Sequence, residues 1–411
     1  MKTLAQWLEY IERQHPKSIA LGLDRVAKVY QSMQVKLQSP VVTVGGTNGK
    51  GSTCAMLESI LRAGGCRTGL YMSPHLVRYN ERVRIGGVEA SDEALAESFD
   101  AVEAARGDVA LTYFEYGTLA ALWLFGRAKV EAMVLEVGLG GRLDAVNVLD
   151  ADCAVLTSVG IDHVDYLGPD RESIGREKAG IFRAGRPAVI AEPDVPRSVL
   201  EAPGEKLLLG RDFGFEDQKS QWTYWGPNGK RAGLAHPALR GALQLRNASA
   251  AICALGTLDI APAMQDIRRG LAEVTLPARF QVLPGRPQVI LDVAHNAQAA
   301  AALADNLAAS AFAPETIAVC GMLRDKDIGA VLRTLAPRIT RWHLASLAGP
   351  RAAGAQELAQ HVKGDCFESP AAAFAAALER AGESDKIVVF GSFLTVGEVM
   401  AWLKNNKTSK R

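Results

Sequence analysis

The chain predicts an α/β protein built on two sheets, a larger and mostly parallel one followed by a smaller doubly wound one. Three observations carry this. Short apolar runs alternate with amphipathic helical patterns along most of the length, which implies parallel strands joined by right-handed crossovers. At 411 residues the chain is longer than one ordinary core serves, so two domains are expected. A Pro/Gly-rich stretch, Leu283-Pro284-Gly285-Arg286-Pro287, separates two such αβ series and reads as a linker. The expected domains are therefore residues 1–283 and 288–411.

In chain order, the β-branched run Val41, Val42, Thr43, Val44 gives the first strand, over 41–44. The spacing of Met56, Leu57, Ile60 and Leu61 gives the helix that follows it. Further parallel strands are expected over 68–72, 132–137, 154–157 and 188–191, with helices over 92–105 and 114–128 between them. Residues 201–243 differ. Trp222, Tyr224, Trp225, Pro227 and Gly229 suggest a small antiparallel excursion at the sheet edge. Helical pattern returns over 247–258 and 261–271. The second series has strands over 289–291, 316–320, 341–344 and 387–390. Its helices cover 297–309, 328–336, 371–381 and 396–403, which makes a smaller, Rossmann-like domain of a size comfortable for one core.

Composition narrows the function classes. Lysine plus arginine, 46, nearly balance aspartate plus glutamate, 45, whereas a nucleic-acid partner needs a basic face. A hydrophobic share of 48% against 22% charged residues describes a soluble globular protein. No uncharged apolar window reaches the length needed to span a bilayer. The first ten residues carry Lys2 and Glu9 within any apolar run, so they are not a signal peptide. Six cysteines are scattered without a Cys-x-x-Cys, which reads as reduced thiols in a cytoplasmic protein.

The strongest chemical signal is Gly45-Gly46-Thr47-Asn48-Gly49-Lys50-Gly51-Ser52-Thr53 between the first strand and its helix. Glycines let several backbone N–H groups converge on one concavity, and the helix start adds its positive dipole end. Lys50 can reach the outer phosphates of a nucleoside triphosphate, and Ser52 or Thr53 can approach the accompanying Mg²⁺. The domain is thus P-loop-type, although Gly-x₃-Gly-Lys stands where the usual motif has Gly-x₄-Gly-Lys, and Gly51 separates the lysine from the first hydroxyl. Glu136, ending a buried apolar strand in the same domain, is a natural Mg²⁺ ligand. His163 by itself reads as an ordinary loop histidine; its place after a strand adds a metal-ligand reading. Lys178 and Ser73-Pro74-His75-Leu76 are bland in isolation. Asp292-Val293-Ala294-His295-Asn296 ends a strand and begins a helix, where Asn296 suits a simple N-cap. Gly391-Ser392-Phe393 closes the last strand in the same way.

Together these segments resemble the folylpolyglutamate synthase/dihydrofolate synthase family, within the wider Mur-ligase-like amide ligases. The resemblance covers nearly the whole chain. It runs through the loop 46–52, Ser73-Pro74-His75-Leu76, 111–115, 136–145, Asp162-His163, 171–182, Asn247, Arg279-Phe280, 292–296 and Gly391-Ser392-Phe393. It implies that Thr47, Asn48, Gly49 and Lys50 hold the ATP phosphates, and that Asn247, Arg279 and Asp292 contact the nucleotide. It implies Mg²⁺, as two ions, on Ser73, Glu136 and His163, with Lys178 carbamylated into an anion that can face a metal. Thr112, Tyr113, Phe114 and Glu115 with Leu143, Asp144 and Ala145 form the pterin pocket, Phe114 offering its ring face. His295 and Ser392 place the incoming glutamate. Gln244-Leu245-Arg246 stands before Asn247 where such sequences often carry a Pro-Gln-Pro-like turn, so the approach to that asparagine differs.

The implied activity is ATP-dependent ligation of L-glutamate to dihydropteroate and to tetrahydrofolate tails through an acyl phosphate, with closure of the domains on ATP. Lys50, Lys178 and His295 are its catalytic residues. The 111–115 segment favours the bifunctional enzyme over a monofunctional folylpolyglutamate synthase. A Mur ligase acting on a UDP-linked precursor lacks an obvious extra N-terminal domain here. A P-loop NTPase switch is the alternative from another class. Partners are small molecules, with neither nucleic acid nor membrane, and the protein is expected to be a monomer.

Overall fold

The strand expected over 41–44 lies at the centre of an eight-stranded sheet, flanked on both sides. In the computed structural model, residues 2–17, 19–260 and 262–408 are described. Ala261, which heads the helix expected over 261–271, and positions 1, 18 and 409–411 of the expected domains lie outside the described residues. The first sheet contains β1 (Val41–Gly45), β2 (Thr68–Tyr71), β3 (Val83–Ile85), β4 (Val88–Glu89), β5 (Ala132–Glu136), β6 (Cys153–Leu156), β7 (Pro187–Ile190) and β8 (Glu205–Leu208). Its order is β4-β3-β2-β5-β1-β6-β7-β8. Only the β2–β3 and β3–β4 pairs are antiparallel. All five residues of β1 are buried, as a strand covered on both faces requires. Its register sets Val44 beside Glu136 and Gly45 beside Leu156, so three strand ends converge where open α/β sheets place ligands.

Helix Lys50–Ala63 buries Cys54, Ala55, Met56, Leu57, Ile60 and Leu61. Helix Met264–Glu273 crosses it closely. A Cβ on Gly270 would fall 2.5 Å from Ile60 Cα, and Ser59 Oγ donates to Gly270 O at 2.7 Å. Two helices precede β1 that the strand–helix alternation did not announce, Leu4–Glu12 and Asp24–Met33. The first follows from Leu4, Trp7 and Ile11, buried on one face, with a Thr3/Gln6 capping box at its start. The antiparallel excursion is a separate three-stranded sheet of β9 (Gly214–Gln218), β10 (Gln221–Gly226) and β11 (Gly229–Leu234), with Trp222 and Tyr224 buried.

The remaining sheet holds β12 (Gln281–Leu283), β13 (Gln288–Leu291), β14 (Thr316–Cys320), β15 (Arg341–Ala345), β16 (Asp365–Phe367) and β17 (Lys386–Phe390), ordered β12-β13-β17-β14-β15-β16. The stretch read as a linker is corrected here. Residues 283–287 turn a hairpin between β12 and β13, which pair antiparallel within this sheet. Pro and Gly mark the turn itself, because a turn and a linker draw on the same residues. One compact unit comprises the chain through His75, Tyr79–Ala238 and Leu245–Val274; the other comprises Leu76–Arg78, Leu239–Gln244 and the chain from Thr275. Among the described residues the six cysteines form no disulfide, and four of them are buried. No described helix is long and apolar enough to cross a membrane.

Candidate active site

The glycine loop is held open by the end of β6. Thr47 N donates to Ser158 O at 2.9 Å, and Asn48 N donates to Ser158 Oγ at 2.9 Å. Thr157 Oγ1 donates to Asn48 O at 2.7 Å, and Thr47 Oγ1 lies 2.9 Å from the Gly160 N–H. Glycine is required twice. Gly46 has φ 145°, and a Cβ there would stand 2.0 Å from Thr157 Oγ1; Gly49 has φ 89°, with Asn247 Oδ1 2.7 Å from its would-be Cβ. Helix Lys50–Ala63 starts at Gly49 without a side-chain cap. Lys50 Nζ donates to Gly46 O and Thr47 O at 3.0 and 3.2 Å, folded back over the concavity. Of the two hydroxyls expected near a cation, Thr53 Oγ1 donates to Gly49 O at 3.0 Å. Ser52 is buried.

Glu136 is buried at the end of β5, one strand from the loop, and its Oε2 accepts from Ser73 N at 3.2 Å. Ser73 Oγ makes no hydrogen bond among the described residues. His163 begins the short helix Val164–Leu167 with a left-handed φ of 53°. No group of three or more His, Cys, Asp or Glu among the described residues is arranged to hold a metal alone. A hydroxyl, a carboxylate and an imidazole still fit a hard divalent cation whose remaining ligands are phosphate oxygens and water. Lys178, in helix Arg171–Ala179, is buried and makes no ion pair among the described residues. Burial first, then the Lys50 charge, bring its amine down to about 7, against the pull of Asp162 and Asp144.

The segment expected to bind a pterin divides into two kinds of residue. Thr112 and Glu115 close a capping box on helix Tyr113–Ala128, and Arg25 Nη2 pairs with Glu115 Oε1 at 2.8 Å. These two polar groups are engaged by the fold. Tyr113 and Phe114 remain partly exposed. Phe114 packs 5.8 Å from the Tyr71 ring, and Gly138 gives it room, since a Cβ there would lie 2.7 Å from Phe114 Cζ. Asp144 is likewise engaged. Its oxygens accept from Leu139 N at 2.8 Å and Val146 N at 3.1 Å, while burial pushes its carboxyl up to about 7. Leu143 passes its carbonyl to Gly22 N at 3.3 Å, and Ala145 is buried in the next turn.

In the second unit, Asp292, His295 and Ser392 stand at the ends of the adjacent strands β13 and β17. Asp292 Oδ2 accepts from Phe280 N and Oδ1 from Ala294 N, each at 2.8 Å, and burial of the carboxyl raises its pKa. His295 Nδ1 donates to Val293 O at 2.7 Å. Arg279 lies 5.2 Å from the Phe393 ring, and the His295 ring lies 6.3 Å from the same phenyl. Asn296 caps helix Ala297–Ala309, as expected. Ser392 Oγ accepts from Leu394 N at 2.9 Å and so caps the last helix. Reading the sequence missed Thr157, Ser158 and Arg25. The first two follow a strand directly and could have been found there; Arg25 has no local signal, since its partner is ninety positions away.

Residues 44–255 match the Mur ligase middle domain, and residues 278–393 match the Mur ligase, glutamate ligase domain. The dihydrofolate synthase/folylpolyglutamate synthase of Escherichia coli strain K12 is 47% identical over 403 residues, covering 97% of this chain and 94% of that protein. Escherichia coli FolC solved in complex with DHPP and ADP superposes with a TM-score of 0.95 at 45% identity over 99% of each chain. A bifunctional folylpolyglutamate synthase/dihydrofolate synthase solved with Mn, AMPPNP and L-glutamate bound gives 0.93 at 45% identity over 98% of each. With identity of this level sustained along both chains, the protein belongs to the dihydrofolate synthase/folylpolyglutamate synthase family of Mur ligases.

Proposed function

We propose that the chain is an ATP- and Mg²⁺-dependent ligase that joins L-glutamate to dihydropteroate and also lengthens the glutamate tail of tetrahydrofolate. The observation that carries this is the uncapped glycine loop with Lys50 beside the buried strand-end carboxylate of Glu136, in a chain so similar to bifunctional relatives. A carboxylate is not electrophilic at neutral pH, so it must first be activated. One of its oxygens attacks the γ-phosphorus of ATP, and ADP leaves with the bridging oxygen and its electron pair. The acyl phosphate formed is then attacked by the glutamate amine, and phosphate departs as the C–N bond forms.

Most of the proposed roles have a physical basis. The Gly49 N–H and the Lys50 ammonium neutralise charge on the transferring phosphoryl group, while Thr47 and Asn48, whose N–H groups Ser158 holds, fix the loop around the phosphates. Ser73, Glu136 and His163 hold Mg²⁺, which supplies further charge neutralisation at the phosphates when bound. Lys178 becomes a carbamate. Its neutral amine, available because its pKa sits near 7, adds to CO₂ and releases a proton, giving a carboxylate-like group. Tyr113 and Phe114 offer ring faces to the pterin, while Thr112, Glu115, Leu143, Asp144 and Ala145 shape that wall. Asn247 lies against the loop at Gly49. The nucleotide roles of Arg279 and Asp292, and the glutamate roles of His295 and Ser392, rest on the family resemblance. The same reading takes the protein as a cytoplasmic monomer with small-molecule partners only, a compartment its free cysteines suit.

The test is ADP release with ATP, Mg²⁺ and glutamate, adding dihydropteroate or tetrahydrofolate. Turnover with both supports the bifunctional ligase, and turnover with tetrahydrofolate alone reduces it to polyglutamylation. ADP release independent of either pterin overturns the ligase and favours an NTPase switch.

A further inference from the structure

Arg82 carries a charge that its neighbours leave unanswered. Several other partly buried arginines of the first unit meet a carboxylate, Arg25 with Glu115 at 2.8 Å, Arg84 with Glu58 at 2.5 Å and Arg106 with Glu103 at 2.7 Å, whereas Arg231 and Arg246 meet none among the described residues. Arg82 has no carboxylate at ion-pair distance among the described residues. Its guanidinium instead lies 5.3 Å from the Tyr79 ring centroid and 5.4 Å from that of Tyr113. Such contacts stabilise a cation while leaving its hydrogen-bonding edge open.

That edge is aimed. Arg82 Nε donates to His75 Nδ1 at 2.8 Å, and the two terminal amino groups make no hydrogen bond among the described residues. The main chain is fixed as well, Met72 N donating to Arg82 O at 2.9 Å. The residue after Met72 is Ser73, whose N–H reaches Glu136; the residue after Tyr113 is Phe114. Arg82 thus contacts Met72 and Tyr113, the residues that precede Ser73 and Phe114 in the chain.

We propose that Arg82 binds the carboxylate of the pterin-derived acid through its terminal amino groups, with Tyr79 and Tyr113 supporting the guanidinium and His75 setting its rotation. A planar fork matched to a planar carboxylate is the pairing for which arginine, unlike lysine, is built. The proposal rests on the ligase reading above. In the activation step this contact holds one carboxylate oxygen while the other attacks phosphorus.

The experiment compares wild type, Arg82→Lys and Arg82→Gln, each checked for an unchanged melting profile. Binding is measured for dihydropteroate, for its carboxamide and for ATP. Losing a charge-assisted contact predicts dihydropteroate binding ~10–100-fold weaker in Arg82→Gln, with a smaller loss in Arg82→Lys, which keeps the charge without the fork. Carboxamide and ATP affinities should change by less than about threefold, because neither presents that carboxylate. Equal losses for acid and amide would mean that Arg82 only shapes the pocket. A loss confined to ATP would make it a phosphate ligand, and no loss would remove it from binding; each overturns the proposal while the ligase stands. A wild type that binds no dihydropteroate overturns the ligase reading, and this proposal with it.

Discussion

Helix Lys50–Ala63 of the first unit begins at a glycine with φ 89° and no side-chain cap, whereas helices Ala297–Ala309 and Phe393–Thr408 of the second begin under Asn296 and Ser392. All three follow parallel strands, so topology alone does not separate them. What separates them is who satisfies the first backbone N–H groups. In the second unit the chain does so itself, and Asp292 similarly takes the N–H groups of Phe280 and Ala294. In the first unit those donors are left for something else, with Lys50 turned onto loop carbonyls that it can exchange for phosphate. An N-terminus kept for an anion is left uncapped, and one that only terminates a strand crossover is capped.

The largest effect expected from that contrast is at Lys50. Lys50→Ala should lower ligase turnover by roughly 10²–10³-fold, the cost of one lost electrostatic donor at a transferring group. Stability should hardly change, since the amine bonds only two carbonyls at 3.0 and 3.2 Å. Steady-state ADP release and a thermal melt on the same preparation check both halves. A large drop in melting temperature would show that Lys50 is structural and erase the contrast.

The contrast also explains what the sequence made legible. The phosphate loop could be read because glycine, lysine and hydroxyl in one short run have few other uses, and β1, β5 and β6 could be read because strands buried on both faces are continuous apolar runs. Thr112, Glu115 and Asp144 were less transparent. The same residue types that contact ligands also close capping boxes and tie loops, and only coordinates show Glu115 held by Arg25 and Asp144 by two backbone N–H groups. The hairpin at 283–287 misled for a related reason: turn chemistry is local, whereas a domain boundary is a property of distant contacts. The helix Leu4–Glu12 was legible in the spacing of Leu4, Trp7 and Ile11, but lay outside the alternation that organised the reading.

Lys178 gives the next effect, in which function and stability should move in opposite directions. Its folded amine titrates near 7, well below the ordinary lysine value, so from about pH 7 to about pH 10 the unfolded chain holds a proton that the folded chain lacks. Stability from this group therefore rises with pH across that window and is lowest below it. Replacing the amine with an apolar group of similar length should relieve the penalty. Lys178→Met is expected to stabilise the protein by on the order of 2 kcal/mol at neutral pH while turnover falls sharply. In the wild type, added bicarbonate should raise turnover more at pH 8 than at pH 6, because only the neutral amine adds to CO₂. Melting curves and a bicarbonate titration at the two pH values decide this, and turnover indifferent to bicarbonate at both would remove the carbamate.

The smallest effect tests the other side of the contrast. If Ser392 is chiefly a cap, Ser392→Ala should cost about 1 kcal/mol of stability and leave the KM for glutamate unchanged, as Asn296→Ala should at the neighbouring strand end. Asn296 serves as the reference because it caps a helix from the equivalent place and has no proposed ligand. A denaturant titration gives the stability term, and initial rates at varied glutamate give the other. Should Ser392→Ala match Asn296→Ala in stability yet raise the glutamate KM severalfold, the hydroxyl must serve both its own helix and the incoming amino acid. An oxygen that accepts from Leu394 N can still donate its proton outward, so the two uses are chemically compatible. That outcome would narrow the rule drawn from the two units: a capped N-terminus then excludes an anion from the backbone donors, but not from the cap.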